Sequence, residues 1–110
     1  MARGYVPEAG DIVWLRFDPQ AGHEQAGHRP ALVMSPSAYN SKTGLMVCCP
    51  MTTRIKGYPF EVLIAGRRPG AALADQVKSL DWVARKARRK GKVSRAELAE
   101  VRTKMIALIG

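Results

Sequence analysis

The densest group of reactive side chains lies in Gly22-His-Glu-Gln-Ala-Gly-His-Arg-Pro30. Two histidines, a glutamate, a glutamine and an arginine share a glycine-punctuated loop just ahead of the apolar run Ala31-Leu-Val-Met34. Gly22 and Gly27 permit backbone angles that other residues resist, and Pro30 disfavours helix at Arg29. Arg29 is therefore expected to be extended where the loop meets a strand. RNA can be cut without a metal when its own 2′-hydroxyl attacks the adjacent phosphate. That reaction needs a base, an acid, and donors to the phosphorane charge. Arg29 offers a planar fork suited to phosphate oxygens. Glu24 or His28 could take the proton, and Thr52 or Thr53 could donate a hydroxyl hydrogen bond. The set is chemically sufficient, but each member also has a plainer role. Arg29 could pair with Glu24 or Asp75, and His23 and His28 could be exposed loop residues. Thr52 and Thr53 could simply end a strand, and Asp75 could bond only backbone amides at a bulge.

The elements that would position this loop follow from periodicity. Residues 1–9 read as a loose arm packing through Tyr5 and Val6. Asp11 to Asp18 reads as a strand, with Val13, Leu15 and Phe17 on one face and Ile12, Trp14 and Arg16 on the other. Residues 19–29 form the loop, and Ala31 to Ser35 suits a strand covered on both faces. Ser37 to Asn40 makes a single helical turn. Leu45 to Cys49 is a strand ended by Pro50, which sets Thr52 and Thr53 at its mouth. Arg54 to Pro59 is a loop, Phe60 to Ala65 a strand, and Gly66 to Gly70 a tight turn. Ala71 to Ala74 is short and apolar. Asp75-Gln76 interrupts it before Val77 to Leu80, which Trp82 to Arg85 could extend. Arg85 to Lys92 carries six cations and no acid, as a basic surface loop or a hairpin edge. Ser94 with Glu97 is a capping box. Leu98, Val101, Met105 and Leu108, with Ile109 nearby, then recur at helical spacing. They predict an amphipathic helix over Arg95 to Ile109 whose stripe covers the sheet. Short strands spaced by turns, with no crossover helices, predict an antiparallel sheet curling into a small barrel, with this helix at its C-terminal end.

Composition narrows the function classes. The 110 residues suit one domain spanning 1–110. Eighteen Lys plus Arg against nine Asp plus Glu give a net charge of +9. A field of that size favours an anionic partner. No apolar run approaches the roughly 20 residues that span a bilayer. The start lacks the apolar core of a signal peptide, so a cytoplasmic protein without membrane partners is expected. The only cysteines, Cys48 and Cys49, are neighbours. In a strand they point to opposite faces, which makes a poor disulfide and a poor metal site. His23 and His28 lack zinc spacing with any other Cys or His. No Mg²⁺ or Zn²⁺ cage is visible, so no cofactor is expected. Trp14 and Trp82 read as core residues before base-stacking platforms.

Several segments together carry a family likeness. Gly10-Asp-Ile-Val-Trp14, Phe17-Asp-Pro19 and the Gly22–Pro30 loop resemble the MazF/PemK toxins of bacterial toxin–antitoxin pairs, most closely the chromosomal MazF branch. The likeness continues through Pro36, Tyr39-Asn40, Lys42-Thr-Gly44, Pro50-Met-Thr-Thr53, Lys56-Gly-Tyr-Pro-Phe60, Ala74-Asp-Gln-Val-Lys78 and Leu108-Ile-Gly110. It implies a homodimer with an SH3-like barrel of the CcdB/Kid type. It also implies a sequence-specific, metal-independent endoribonuclease acting on single-stranded RNA, mainly mRNA, and arresting translation. The products would carry a 2′,3′-cyclic phosphate and a 5′-hydroxyl, and an acidic MazE-like antitoxin would inhibit the toxin. By the same resemblance Arg29 is the phosphate stabiliser and a candidate acid, Thr52 a phosphate donor, and Glu24 a candidate base. The PemK/Kid branch also uses the positions of His23 and Asp75, with an arginine two residues before the aspartate. This sequence has Leu73 there, which shifts weight to Arg29. His23, His28, Thr53, Lys56, Asp75 and Gln76 stand as substrate-binding candidates.

Two other functions fit a small basic barrel. One is a CcdB-like toxin that inhibits gyrase, since fold does not fix function. The other is a nucleic-acid-binding barrel without catalysis. The Arg29 and Thr52 motifs favour the ribonuclease.

Overall fold

The computed structural model describes residues 4–17, 27–66 and 69–110. The first strand, β1 (Asp11–Phe17), serves two apolar clusters through its alternation. Val13 and Leu15 enter one with Ala31, Val33, Met46 and Cys48. Ile12 packs against the other, which holds Leu32, Cys49, Val62, Ile64 and Val101. A fully buried Val or Leu contributes about 1.5–3 kcal/mol, so a one-residue slip of β1 would forfeit both sets at once. Cys48 and Cys49 point into different clusters, as adjacent strand residues must. Burial pushes the two thiols up to about 11 and about 12, so they are protonated packing groups at neutral pH.

The chain continues through β2 (Gly27–Val33), α1 (Ser37–Thr43), β3 (Leu45–Thr52), β4 (Glu61–Ile64) and β5 (Gly70–Leu73). A 3₁₀ turn (Ala74–Gln76) precedes β6 (Lys78–Asp81), β7 (Arg88–Lys92) and α2 (Arg95–Ile109). Every strand pair is antiparallel. The order is β4-β5-β3-β2-β1-β7, with β6 added to the first half of β3. The result is a curled half-barrel whose end strands, β4 and β7, leave a seam between them. Asp11 holds β7 in place: its buried carboxylate accepts from the Tyr5 hydroxyl and Glu8 N–H, and lies 3.7 Å from both Arg89 and Lys92. No helix among the described residues is long and apolar enough to cross a membrane.

Several expectations are corrected. Gly27 to Arg29 belong to β2 rather than to the loop, because β1 pairs with them as far as Phe17↔Gly27. Pro50 does not end β3, which runs on to Thr52. It lies where β3 changes partner from β6 to β5, so its missing N–H falls at a break in the ladder. The helical turn at Ser37 extends to Thr43, where Gly44 at φ 74° closes it. The N-terminal arm is tied down through Tyr5 and a buried Pro7. Trp82 to Arg85 turns away instead of extending β6. The basic run is an edge strand from Arg88. Helix α2 has the expected bounds and capping box, but its stripe covers the sheet only in part. Val101 is buried and Leu98 and Met105 pack on the core, whereas Leu108 and Ile109 are exposed.

Candidate functional site

The seam holds a depression of about 530 Å³. β1 contributes Ile12 and Trp14, and β7 contributes Lys90 and Lys92. Ile64 and Ala65 at the end of β4 form the other wall, with Met51, Thr52 and Thr53 between the walls. Trp14 is only partly buried, and the Lys90 ammonium sits 5.3 Å from its ring centroid, within cation–π range. Trp14 is thus an accessible aromatic face beside cations, and not only a core residue.

Thr52 stands at the junction of this groove with a smaller one of about 190 Å³. Its hydroxyl oxygen accepts from Arg54 N–H at 3.0 Å, which orients the group while leaving its proton available to donate. β5 approaches closely here: a Cβ at Gly70 would lie 2.9 Å from the Thr52 carbonyl oxygen. The smaller groove is lined by Arg54, Lys56, Tyr58, Glu61 and Gln76 among others. Glu61 is buried, and its carboxylate accepts Lys56 N–H at 3.0 Å and Gly57 N–H at 2.7 Å. One side chain therefore shapes the Arg54–Pro59 loop and keeps the Lys56 side chain exposed. Tyr58 donates to Asp75 Oδ1 at 3.0 Å. Desolvation, then the Asp75 carboxylate, raises its phenol, so it remains a proton donor at neutral pH. Asp75 thus bonds a side chain.

Arg29 lies in a third depression of about 150 Å³ with Lys78, Pro30 and Pro50. Pro30 lines this one and the seam groove alike. The last β2–β3 pair is Ala31↔Pro50. Arg29 and Thr52 are each two positions beyond it, so alternation gives them the same face at the rim of the sheet. His28 is exposed one residue earlier, paired with Arg16 across the β1 ladder. Thr53, Asp75 and Gln76 are likewise exposed. His23 and Glu24 lie outside the described residues.

Among the described residues lining the three depressions, Arg29, Arg54, Lys56, Lys78, Lys90 and Lys92 are cationic and Glu61 alone is acidic. This excess of cations suits a polyanion. Sequence reasoning missed Lys78, Arg54 and Tyr58 as members of the site. The position of Tyr58 near Asp75 was not visible over 17 residues of separation.

Comparison with known proteins shows the family of the chain. A family described as the PemK-like, MazF-like toxin of type II toxin–antitoxin systems matches residues 8–109. The endoribonuclease toxin MazF of Escherichia coli K12 is 56% identical over 111 residues, covering 100% of both chains. Endoribonuclease PemK of Escherichia coli is 36% identical over 86% of this chain and 75% of its own. A crystal structure of MazE–MazF from Deinococcus radiodurans superposes with a TM-score of 0.91 at 55% identity, covering 97% of this chain and 98% of that one. The chain belongs to the PemK-like, MazF-like toxin family of type II toxin–antitoxin systems.

Proposed function

We propose that this chain is the endoribonuclease of a toxin–antitoxin pair, cutting single-stranded RNA, chiefly mRNA, without a metal. The observation that carries this reading is the position of Arg29 and Thr52 at one rim of the β2–β3 ladder, both two residues past Ala31↔Pro50, amid the cations of the three depressions. In the reaction a base removes the 2′-hydroxyl proton, and the oxygen attacks the adjacent phosphorus. The 5′-oxygen leaves with a proton from an acid, giving a 2′,3′-cyclic phosphate and a 5′-hydroxyl. The Arg29 guanidinium neutralises the equatorial charge and is the candidate acid. Thr52 donates to a phosphate oxygen, and Glu24 is the candidate base. His23, His28, Thr53, Lys56, Asp75 and Gln76 contact the flanking nucleotides. The protein acts in the cytoplasm as a homodimer of single-domain chains. A MazE-like antitoxin silences it by presenting acidic residues to the same cations. The presence of MazE in the Deinococcus radiodurans structure supports that partner.

The test is incubation with a long single-stranded RNA in excess EDTA. Discrete fragments ending in cyclic phosphate are expected. Arg29→Ala should lower the rate by about 10²–10³ with an unchanged circular dichroism spectrum, because a preorganised donor to developing charge is lost. Arg29→Lys should also be poor, since one ammonium does not reproduce the fork. RNA that is shifted but intact would indicate a binding module. Untouched RNA with inhibited supercoiling would indicate the gyrase route.

A further inference from the structure

Glu97 links two segments that the strand order leaves unpaired. Its Oε1 accepts Ser94 N–H at 2.8 Å, just after β7, and its Oε2 accepts Ala65 N–H at 2.8 Å, just after β4. β7 and the end of β4 are the two walls of the seam groove. We propose that Glu97 is a positioning residue: a clasp whose two carboxylate oxygens tie the β4 wall to the β7 wall and so set the width of the RNA groove. This rests on the reading of the seam as part of the RNA path.

Three observations support it. First, the capping box requires only one oxygen of Glu97, so the bond to Ala65, 32 residues away, is additional to helix capping. Second, the Ala65 amide, and after it the Ser94 amide, holds the carboxyl below the usual range, so the clasp is ionised at neutral pH and both bonds are charge-assisted. Third, the wall that it fixes pairs with β5 through Ile64↔Gly70, and Gly70 lies against the Thr52 carbonyl oxygen. A shift of Ala65 is therefore transmitted to the strand end that carries Thr52. The Lys104 ammonium, which donates to the Pro59 oxygen at 2.6 Å, anchors the same helix to the chain entering β4.

The test separates the clasp from the cap. Ser94→Ala removes the cap hydroxyl and leaves both carboxylate bonds, whereas Glu97→Ala removes both carboxylate bonds and leaves the Ser94 hydroxyl to accept from the residue-97 backbone N–H. Glu97→Gln retains one acceptor oxygen and guards against misfolding of the Ala variant. Amide hydrogen exchange is measured first. Ala65 N–H should lose protection in Glu97→Ala and keep it in Ser94→Ala. Cleavage of single-stranded RNA is measured next. Glu97→Ala should raise KM and lower kcat/KM about tenfold, with Glu97→Gln intermediate and Ser94→Ala close to wild type. Unchanged Ala65 protection in Glu97→Ala would overturn the clasp. Lost protection with kinetics equal to those of Ser94→Ala would show that the clasp does not set the groove. If wild-type protein neither bound nor cut RNA, the functional reading would fail, while the exchange data would still decide whether the clasp exists.

Discussion

The end of the half-barrel beside α1, here the sealed end, and the seam are both organised by a polar side chain, but to different ends. At the sealed end Asn40 is fully buried. Its amide donates to the Pro7 and Ser35 carbonyls at 2.9 and 3.0 Å, and its Oδ1 accepts from the Ser35 hydroxyl at 2.6 Å. Its own carbonyl accepts from Trp82 Nε1 at 2.9 Å, and Val47 N–H donates to Ser35 Oγ. At the seam, the half-exposed Glu97 takes the Ala65 and Ser94 N–H groups, on segments that remain open to solvent. A buried network with every member satisfied specifies the fold, because any broken member leaves partners unpaired in a low dielectric. Half-exposed carboxylates cost little to loosen, so they adjust loops without deciding whether the chain folds. Placement at the sealed end or at the seam therefore predicts whether a substitution is felt in stability or in cleavage.

That contrast can be broken by experiment. The largest effect should come from Asn40→Ala, which orphans the Pro7 and Ser35 groups and should cost about 3 kcal/mol or more. For a chain of this size that corresponds to a melting midpoint lower by roughly 12 °C or more, read by calorimetry, with the activity of the folded fraction unchanged. If the cleavage rate fell while the midpoint held, the division of roles would be wrong. Next is Gly70→Ala, whose Cβ would meet the Thr52 oxygen at 2.9 Å. Pushing β5 off β3 should cost about 1–3 kcal/mol and depress kcat more than a stability loss alone explains.

A smaller effect is expected at the β7 edge. Arg89 pairs with Asp11, so reversing its charge would damage the arm as well as the surface. Arg88 and Lys90 are exposed and make the cleaner pair. Arg88→Glu with Lys90→Glu should weaken RNA and antitoxin binding together and flatten the salt dependence of log Kd by about 1–2 units. Salt titrations with unchanged slopes for both ligands would remove β7 from the shared surface. The smallest effect concerns pH. The folded carboxyl of Glu97 is held below its unfolded value, so its contribution is present above the ordinary glutamate range. It is lost as pH falls through the lower, folded value. Screening keeps it below about 1 kcal/mol. The stability gap between wild type and Glu97→Gln should accordingly shrink on acidification, and a gap that widened would contradict the sign.

How much of this was legible in the sequence depended on distance along the chain. Ser94 and Glu97 are three residues apart, so the capping box and the bounds Arg95–Ile109 could be read directly. The opposite faces of Cys48 and Cys49, the alternation of Val13 and Leu15, and the loop motif that placed the chain in its family are equally local. Tertiary structure decided what those local signals leave open. It carried β3 past Pro50 by changing its partner there, and it buried Asn40 within a polar segment. It moved Trp14 to a groove beside Lys90, and it left Leu108 and Ile109 uncovered although their spacing matches the buried stripe. It also gave the second oxygen of Glu97 to Ala65. Periodicity and capping are properties of neighbouring residues, fixed by the pitch of a helix or the pleat of a strand. A seam exists only once two strands far apart in sequence have been brought to face each other, and no local pattern encodes that meeting.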